Sequence, residues 1–233
     1  MSAIAIITAR GGSKRIPKKN IKDFCGKPII AYSIEAATES NLFDEVMVST
    51  DSEEIADVSM RYGAKVPFYR SAQTSNDYAT TEDVLREVIE KYHELKQVFT
   101  HVCCIYPTAP FVTPDKLQEG YHVLIEKTAD LVFPVVEFPV PPQWGLTLKE
   151  SAEVVFNMPE MTIVRSQDIE PTYYDAGQFY WYNIEYFNKK ADQIRKYAIP
   201  IKATEAQDID TMVDWKIAEM KYLLMQNETE GEE

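Results

Sequence analysis

Short apolar runs alternate with stretches of helical periodicity over the first 136 residues. The runs at 3–8, 45–50, 66–69, 101–106 and 131–136 are rich in Ile and Val and mostly lack polar alternation. Unbroken apolar runs of that length predict strands buried on both faces of a parallel sheet. Between them the spacing predicts helices at 29–40, 52–62, 81–96 and 114–127. In the third, Val84, Leu85, Val88, Ile89 and Tyr92 make an i, i+1, i+4, i+5, i+8 stripe. Thr80 stands where a hydroxyl caps that helix, and Glu82 and Asp83 follow in its first turn, against the positive end of the helix dipole. Thr113-Pro114 marks the next start, with the proline at the first helical position, where its missing N–H costs nothing. Strand alternating with helix predicts an α/β fold, Rossmann-like and doubly wound, on a mostly parallel sheet.

The pattern then changes. Residues 137–175 contain Pro139, Pro141, Pro142, Pro159 and Pro171, with one short apolar run at 154–156. Such a stretch is not expected to form central sheet and predicts an excursion that covers a substrate or contacts another subunit. Core-like sequence returns at 177–182 and 197–201, and a last helix is predicted at 211–225. There is no internal repeat. The expected organisation is one domain over 1–226, carrying an insertion at about 137–175. Beyond it, 227–233 holds Glu228, Glu230, Glu232 and Glu233 with nothing apolar to bury, and is expected to be a solvated, disordered acidic tail.

Composition adds a constraint on partners. The chain has 233 residues with 24 Lys+Arg against 37 Asp+Glu, a formal net charge of −13. That balance argues against a nucleic-acid partner, whose binding draws on phosphate neutralisation by Lys and Arg. Cys25, Cys103 and Cys104 are an odd count without metal-ligand spacing and are expected to be buried reduced thiols. His93, His101 and His122 are dispersed and are assigned to helix surface or strand edge. The opening apolar stretch is too short for a signal peptide or a membrane span, so a cytoplasmic location without membrane association is expected.

The negative charge reverses locally. From Arg10 to Lys27 the chain carries seven basic residues, Arg10, Lys14, Arg15, Lys18, Lys19, Lys22 and Lys27, against one acid, Asp23. This segment directly follows the first predicted strand, at the end of a parallel sheet where ligands bind. Gly11 and Gly12 let backbone N–H groups approach an anion, and Arg10, Lys14 and Lys19 counter several negative charges. The composition is that of a polyphosphate cradle. Neither the P-loop spacing nor G-x-G-x-x-G is present.

The run Ala9-Arg10-Gly11-Gly12-Ser13-Lys14-Arg15-Ile16-Pro17-Lys18-Lys19-Asn20, followed by Gly26-Lys27-Pro28-Ile29-Ile30-Ala31-Tyr32-Ser33-Ile34, resembles the signature of the acylneuraminate cytidylyltransferases, which make CMP-activated sialic acids. The resemblance extends to about Lys221 and is strongest to the pseudaminic subgroup. It implies a nucleotide-sugar transferase type of sheet, CTP as substrate, Mg²⁺ as cofactor, and a homodimer formed through the inserted segment, which also acts as a lid. By this match Arg10, Gly11, Gly12, Ser13, Lys14, Lys19 and Asn20 contact the nucleotide, with Arg10 and Lys19 nearest the phosphates. Arg70, Ala79 and Thr81 fall on positions that contact cytosine and ribose, although the Ser/Thr/Asp-rich stretch before the third helix also reads as a plain turn and cap.

Gln207-Asp208-Ile209-Asp210-Thr211 is the strongest acidic motif. In extended backbone, Asp208 and Asp210 face one way and Ile209 the other, so two carboxylates meet one hard cation. Helix capping explains Thr211 and Asp214 without requiring both aspartates, and the resemblance puts a metal-binding Asp-x-Asp here. On the sugar side, Arg165 suits a C1 carboxylate, and Tyr106, Gln167, Tyr174, Gln178 and Phe179 are further candidate contacts. Related sialic acid enzymes usually have Gln at the position of Tyr106, and the tyrosine is typical of the pseudaminic subgroup. For any single tyrosine, packing in the core or in a dimer explains it equally well.

The expected reaction is transfer of CMP from CTP to the anomeric hydroxyl of pseudaminic acid, a nine-carbon 2-keto sugar acid, with release of pyrophosphate. Arg10, Lys19, Asp208 and Asp210 are the candidate catalytic residues. No side-chain general base stands out, so metal-assisted deprotonation is expected. The alternatives are the same reaction on sialic or legionaminic acid, and a non-catalytic nucleotide-sugar-binding protein.

Overall fold

In the computed structural model, which describes residues 2–230, the first half of the chain runs β1 (Ala3–Thr8), β2 (Asp23–Phe24), β3 (Lys27–Pro28), α1 (Ile29–Glu39), β4 (Glu45–Ser49), α2 (Glu53–Arg61), α3 (Thr81–Glu94) and β5 (His101–Ile105). It continues through α4 (Pro114–Glu126), β6 (Leu131–Glu137), β7 (Leu146–Leu148), β8 (Val154–Phe156), β9 (Tyr173–Asp175), β10 (Phe179–Asn183), β11 (Lys196–Ile201) and α5 (Met212–Glu230). The helix starts use local chemistry. Thr80 and Asp83 cap α3 reciprocally, and the Thr113 side chain accepts from the Lys116 N–H at the start of α4.

The main sheet has the order β11-β6-β10-β5-β1-β4, with β9 paired to β6. Strands β4, β1 and β5 are parallel to one another, as are β6 and β11, whereas β10 runs antiparallel between β5 and β6. The expected α/β, mostly parallel architecture is therefore present. One face carries α1, α2 and α4, packed through Ile30, Ile34, Ile55, Leu117 and Leu124. The other carries α3, through Leu85, Val88 and Tyr92. Cys103 and Cys104 go to opposite faces, as adjacent strand residues must. Gly120 lets α4 lie close on β10, since a Cβ there would come within 3.0 Å of the Trp181 ring.

Four sequence expectations are corrected. Residues 66–69 are not a strand: after a single bridge from Lys65 to Met47, Pro67 has no N–H to continue a ladder, and contact resumes only at Arg70, whose N–H donates to Thr50 O at 2.8 Å. Cys25 is exposed, on the tight β2–β3 turn. His101 is buried, its ring edge-on to Tyr121. Finally, the α5 backbone remains helical to Glu230, over part of the segment expected to be a disordered tail, whose remainder, 231–233, lies outside the described residues.

The proline-rich stretch leaves the sheet at the end of β6 and returns as β9, pairing Glu137 with Tyr173 and Val135 with Asp175. Between these points it forms the β7–β8 hairpin, all six residues of which are exposed. Among the described residues no helix is long and apolar enough to cross a membrane.

Candidate active site

A small secondary core fixes the basic loop. Ile16 from the loop, Phe24 from β2, Ile29 and Tyr32 from α1, Phe111, Ile209, and Trp215 and Ala218 from α5 bury one another. The Phe24 ring meets Tyr32, Trp215 and Tyr222 edge-on at 5.5–5.7 Å between centroids. Because Ile16 and Ile209 share this core, residues nearly two hundred positions apart face each other across one cleft. Ile209 is 1% exposed, so the chain on either side turns Asp208 and Asp210 outward, Asp208 exposed and Asp210 half-buried.

The cleft, of about 440 Å³, lies at the carboxyl ends of β1 and β5 and is lined by Thr8, Arg10, Gly12, Ser13, Lys14, Arg15, Lys19, Asn20, Tyr106 and Asp210, among others. Its loop is held from several sides. Asn20 Nδ2 donates to Arg10 O at 2.9 Å, and Gly11 N–H donates to Asp51 Oδ1 at 2.7 Å. A Cβ on Gly11 would press on Ser52, the residue before α2, at 3.2 Å, so the close approach here favours glycine. Lys18 adopts left-handed backbone, φ 54°, and sends its ammonium to Glu54 on α2 at 2.7 Å. Lys19 turns the other way, into the cleft, where Nζ donates to Ile209 O at 2.6 Å and lies 3.9 Å from Asp210. Burial pushes the Lys19 ammonium below its ordinary pKa, against the opposing pull of Asp210 and Asp208.

A second hollow of about 220 Å³ adjoins the cleft through Thr8 and Arg10 and contains Arg70, Ala79 and Thr81. Arg70 is buried. Its Nε and Nη2 donate to Ser49 Oγ at 3.1 Å and Ser49 O at 2.8 Å, locking it to the end of β4. Burial lowers its pKa, with Asp51 and Glu87 opposing. Tyr106 stands between the two hollows, its hydroxyl 3.4 Å from Thr81 Oγ1 and its ring against Tyr180.

Other candidates lie elsewhere. Gly11 is turned toward Asp51 and Ser52, with its N–H already committed. Phe179 is fully buried in the main core against α4 and has no face to offer a sugar. Gln178 is buried beside Phe111 and Glu205, its side-chain amide donating to Glu205 O. Tyr174 sits on β9 with its ring on Phe138 at 4.9 Å between centroids. Arg165 and Gln167 are exposed on the insertion, Gln167 in a separate hollow with Pro141 and Glu170. None of these five later residues lines the 440 Å³ cleft.

Thr8, Arg15 and Asp77 are among the lining residues that carry no assignment from the sequence alone. Thr8, at the carboxyl end of β1, was findable by the rule that ligands sit there. Arg15 Nη2 reaches Asp210 Oδ1 at 2.7 Å, a contact across 195 positions that no local spacing announces. Asp77 Oδ1 and Oδ2 take Arg10 at 2.7 Å and Lys14 at 2.5 Å. The helix-capping reading of Thr211 and Asp214 also holds: the Asp214 carboxylate accepts from Thr211 N–H at 2.7 Å and from Asp210 N–H at 3.2 Å, leaving the side chains of Asp208 and Asp210 outside the cap.

As a whole the arrangement offers adjacent cationic and acidic groups around a cleft, with a mostly polar second hollow beside it. Two carboxylates from one extended segment are hard oxygen donors. Among the described residues no cluster of three or more His, Cys, Asp or Glu side chains is placed to hold a metal. Asp210 lines the cleft and Asp208, two residues before it, is exposed, so the chain offers two carboxylates to a cation that takes its remaining ligands from phosphate and water, as Mg²⁺ does.

The chain is similar to known proteins over nearly its whole length. The family model described as cytidylyltransferase matches residues 4–229. A pseudaminic acid cytidylyltransferase of Campylobacter jejuni is 40% identical over 228 residues, covering 95% of this chain and 97% of the relative. A CMP-N,N'-diacetyllegionaminic acid synthase of Legionella pneumophila is 34% identical over 232 residues, covering 94% and 95%. Among solved structures, a CMP:2-keto-3-deoxy-manno-octonic acid synthetase complexed with CTP superimposes with a TM-score of 0.70 at 18% identity, over 97% of this chain and all of that one, a likeness of fold. With nearly its whole length matched by the family model and by relatives of that kind, the chain belongs to the cytidylyltransferase family.

Proposed function

We propose that the protein transfers CMP from CTP to pseudaminic acid, yielding CMP-pseudaminic acid and pyrophosphate. The observation that carries this reading is the meeting of the Arg10–Lys19 loop with Asp210 across one cleft, beside a hollow edged by Arg70, Ala79 and Thr81. In the reaction the anomeric C2 hydroxyl of the sugar acid loses its proton to water as its oxygen forms a bond to the α-phosphorus. The bond from that phosphorus to the bridging oxygen breaks, and pyrophosphate carries the electron pair away. Transfer of this kind needs positioning and charge neutralisation more than covalent help from the protein. Arg10, Lys14 and Lys19 bind the β- and γ-phosphates and stabilise the leaving group. Gly12, Ser13 and Asn20 shape the loop around them, and Arg70, Ala79 and Thr81 orient the cytidine.

Asp208 and Asp210 would hold Mg²⁺, which supplies Lewis-acid polarisation of phosphate oxygen. Asp210 is also the counter-ion of Arg15, so cation binding competes with that pair.

Tyr106 is the sugar contact supported by its place in the cleft. Arg165, Gln167 and Tyr174 belong to the insertion and its return strand, away from the cleft of their own chain. A homodimer formed through residues 137–175, with the insertion as lid, would account for their role as sugar contacts and for the exposed apolar side chains of the β7–β8 hairpin, Leu146, Leu148, Val154, Val155 and Phe156. The use of CTP fits a cytoplasmic location.

The test is pyrophosphate release by purified protein from CTP, Mg²⁺ and pseudaminic acid. The proposal expects release that depends on all three and falls by about 10²-fold or more in Asp210→Ala, in line with the loss of one key electrostatic group. Full activity in Asp210→Ala, or no release with pseudaminic acid, overturns it.

A further inference from the structure

The cations of the loop are answered by acids of the same chain, and two acids each answer a pair, Asp210 taking Arg15 and Lys19, and Asp77 taking Arg10 and Lys14. Asp77 gives one carboxylate oxygen to Arg10 Nη1 at 2.7 Å and the other to Lys14 Nζ at 2.5 Å. Arg10 Nη1 also donates to the neighbouring Asn76 O at 3.2 Å. This is the contact pattern that oxygens of a phosphate would make with the same two side chains.

Asp77 is presented by an ordered turn. The Asn76 side chain accepts the N–H groups of Tyr78 at 2.7 Å and Ala79 at 3.0 Å, an Asx turn that holds the tip. At the base of the segment, Glu87 on α3 accepts from Ser71 N–H at 2.9 Å and Ser71 Oγ at 2.8 Å. The carboxylate itself is 46% exposed, and Lys14 is 76% exposed. Ion pairs this exposed are weak. A polyphosphate with several negative charges outcompetes such a pair, whereas a stronger, buried pair would block the site.

We propose that Asp77 is a built-in competitor for the polyphosphate: it takes the donors of Arg10 and Lys14, yields them to the triphosphate, and retakes them as pyrophosphate leaves. The inference rests on the CTP reading above and adds a residue that governs release. Because Asp77 must be displaced by any ligand that uses both cations, it weakens CTP and pyrophosphate by the same factor. Ligands that bear only the α-phosphate do not displace it. The wild-type protein therefore exchanges tight substrate binding for escape of a product that carries the same two phosphates.

The experiment is calorimetric titration of the full-length protein with CTP, pyrophosphate and CMP, for wild type, Asp77→Asn and Asp77→Glu, with circular dichroism to establish that each is folded. Asp77→Asn is expected to bind CTP and pyrophosphate about 3- to 10-fold tighter, the range set by two exposed pairs. CMP affinity is expected to stay at the wild-type value, Asp77→Glu to restore wild-type affinities for all three, and inhibition of turnover by pyrophosphate to deepen in Asp77→Asn by the factor seen in binding. Unchanged or weaker pyrophosphate binding by folded Asp77→Asn overturns the inference, as does equal tightening of CMP. Wild-type protein that binds neither CTP nor pyrophosphate overturns the CTP reading itself, and this inference with it.

Discussion

Ile209 anchors the segment that presents both aspartates, and shortening it separates stability from chemistry. It is 1% exposed, packed in the secondary core with Ile16, Phe24 and Trp215, and its carbonyl accepts from Lys19 Nζ at 2.6 Å. Ile209→Val removes one buried methyl group and costs about 0.5–1.5 kcal/mol, whereas Ile209→Ala leaves a cavity and costs about 2–5 kcal/mol. For a chain of this size these correspond to drops in Tm of about 1–6 °C and about 4–20 °C. Ile209→Ala also loosens the segment that presents Asp208 and Asp210. The Mg²⁺ concentration for half-maximal activity should then rise about tenfold, equivalent to about 1.4 kcal/mol of lost cation binding. Ile209→Val keeps the backbone path and should leave it within about twofold of wild type. The assays are thermal melts by circular dichroism and pyrophosphate release across a Mg²⁺ series, with activity corrected for the folded fraction. A Mg²⁺ series identical in wild type and Ile209→Ala would refute the reasoning, because the carboxylates would then be held by something other than this anchor.

Other positions test other parts of the account. Lys19→Met should lower kcat by about 10²–10³-fold, the usual cost of one preorganised charge-stabilising group, with little change in Tm. Burial alone pushes the Glu87 carboxyl up, but hydrogen bonds from Lys91, Thr74 and Ser71 outweigh it and hold its pKa at about 2. Since the folded-state pKa is depressed, its stabilisation is complete above the ordinary carboxylate range and is lost as pH falls through about 2. The Tm gap between wild type and Glu87→Gln should therefore be full at neutral pH and shrink in acid, and a gap that widens in acid would contradict the assignment. Phe179→Leu should lower Tm without changing KM for the sugar acid, because Phe179 is a core residue; a raised KM in folded protein would return it to the site. Under the proposed homodimer, wild type should scatter as a dimer and Leu148→Glu in the β7–β8 hairpin as a monomer, with kcat/KM lowered for the sugar acid more than for CTP.

The parts of this molecule that were legible in its sequence are those encoded by neighbours. Unbroken runs such as Ala3–Thr8 read as buried strands because the period is short, and Thr80 with Asp83 or Thr113 with Pro114 read as helix starts because a cap is local. The basic loop was legible for the same reason, with its glycines and cations contiguous behind β1. The pairing of charges was not. Arg15 with Asp210 and Arg10 with Asp77 are brought together by the shared core of Ile16 and Ile209 and by the turn at Asn76, neither of which has a local signal. The same holds for Lys18 and Lys19, adjacent in sequence, which part because a left-handed residue redirects the chain. At β10 the two-residue period left two choices of inward face. The side that α4 covers takes Phe179 and Trp181, and the other takes Tyr180 and Tyr182. The 66–69 run failed as a strand on one residue, Pro67, which withholds an N–H that a ladder requires.

The most direct test of the central claim is a competition assay in which the purified protein is offered CTP, Mg²⁺ and an equimolar panel of pseudaminic, legionaminic, sialic and 3-deoxy-octulosonic acids, with products resolved by mass. The account predicts CMP-pseudaminic acid as the dominant product, with kcat/KM for pseudaminic acid at least about tenfold above each competitor, the discrimination that one or two specific contacts supply. Preferential formation of any other CMP-sugar, or no CMP-sugar at all, would contradict it.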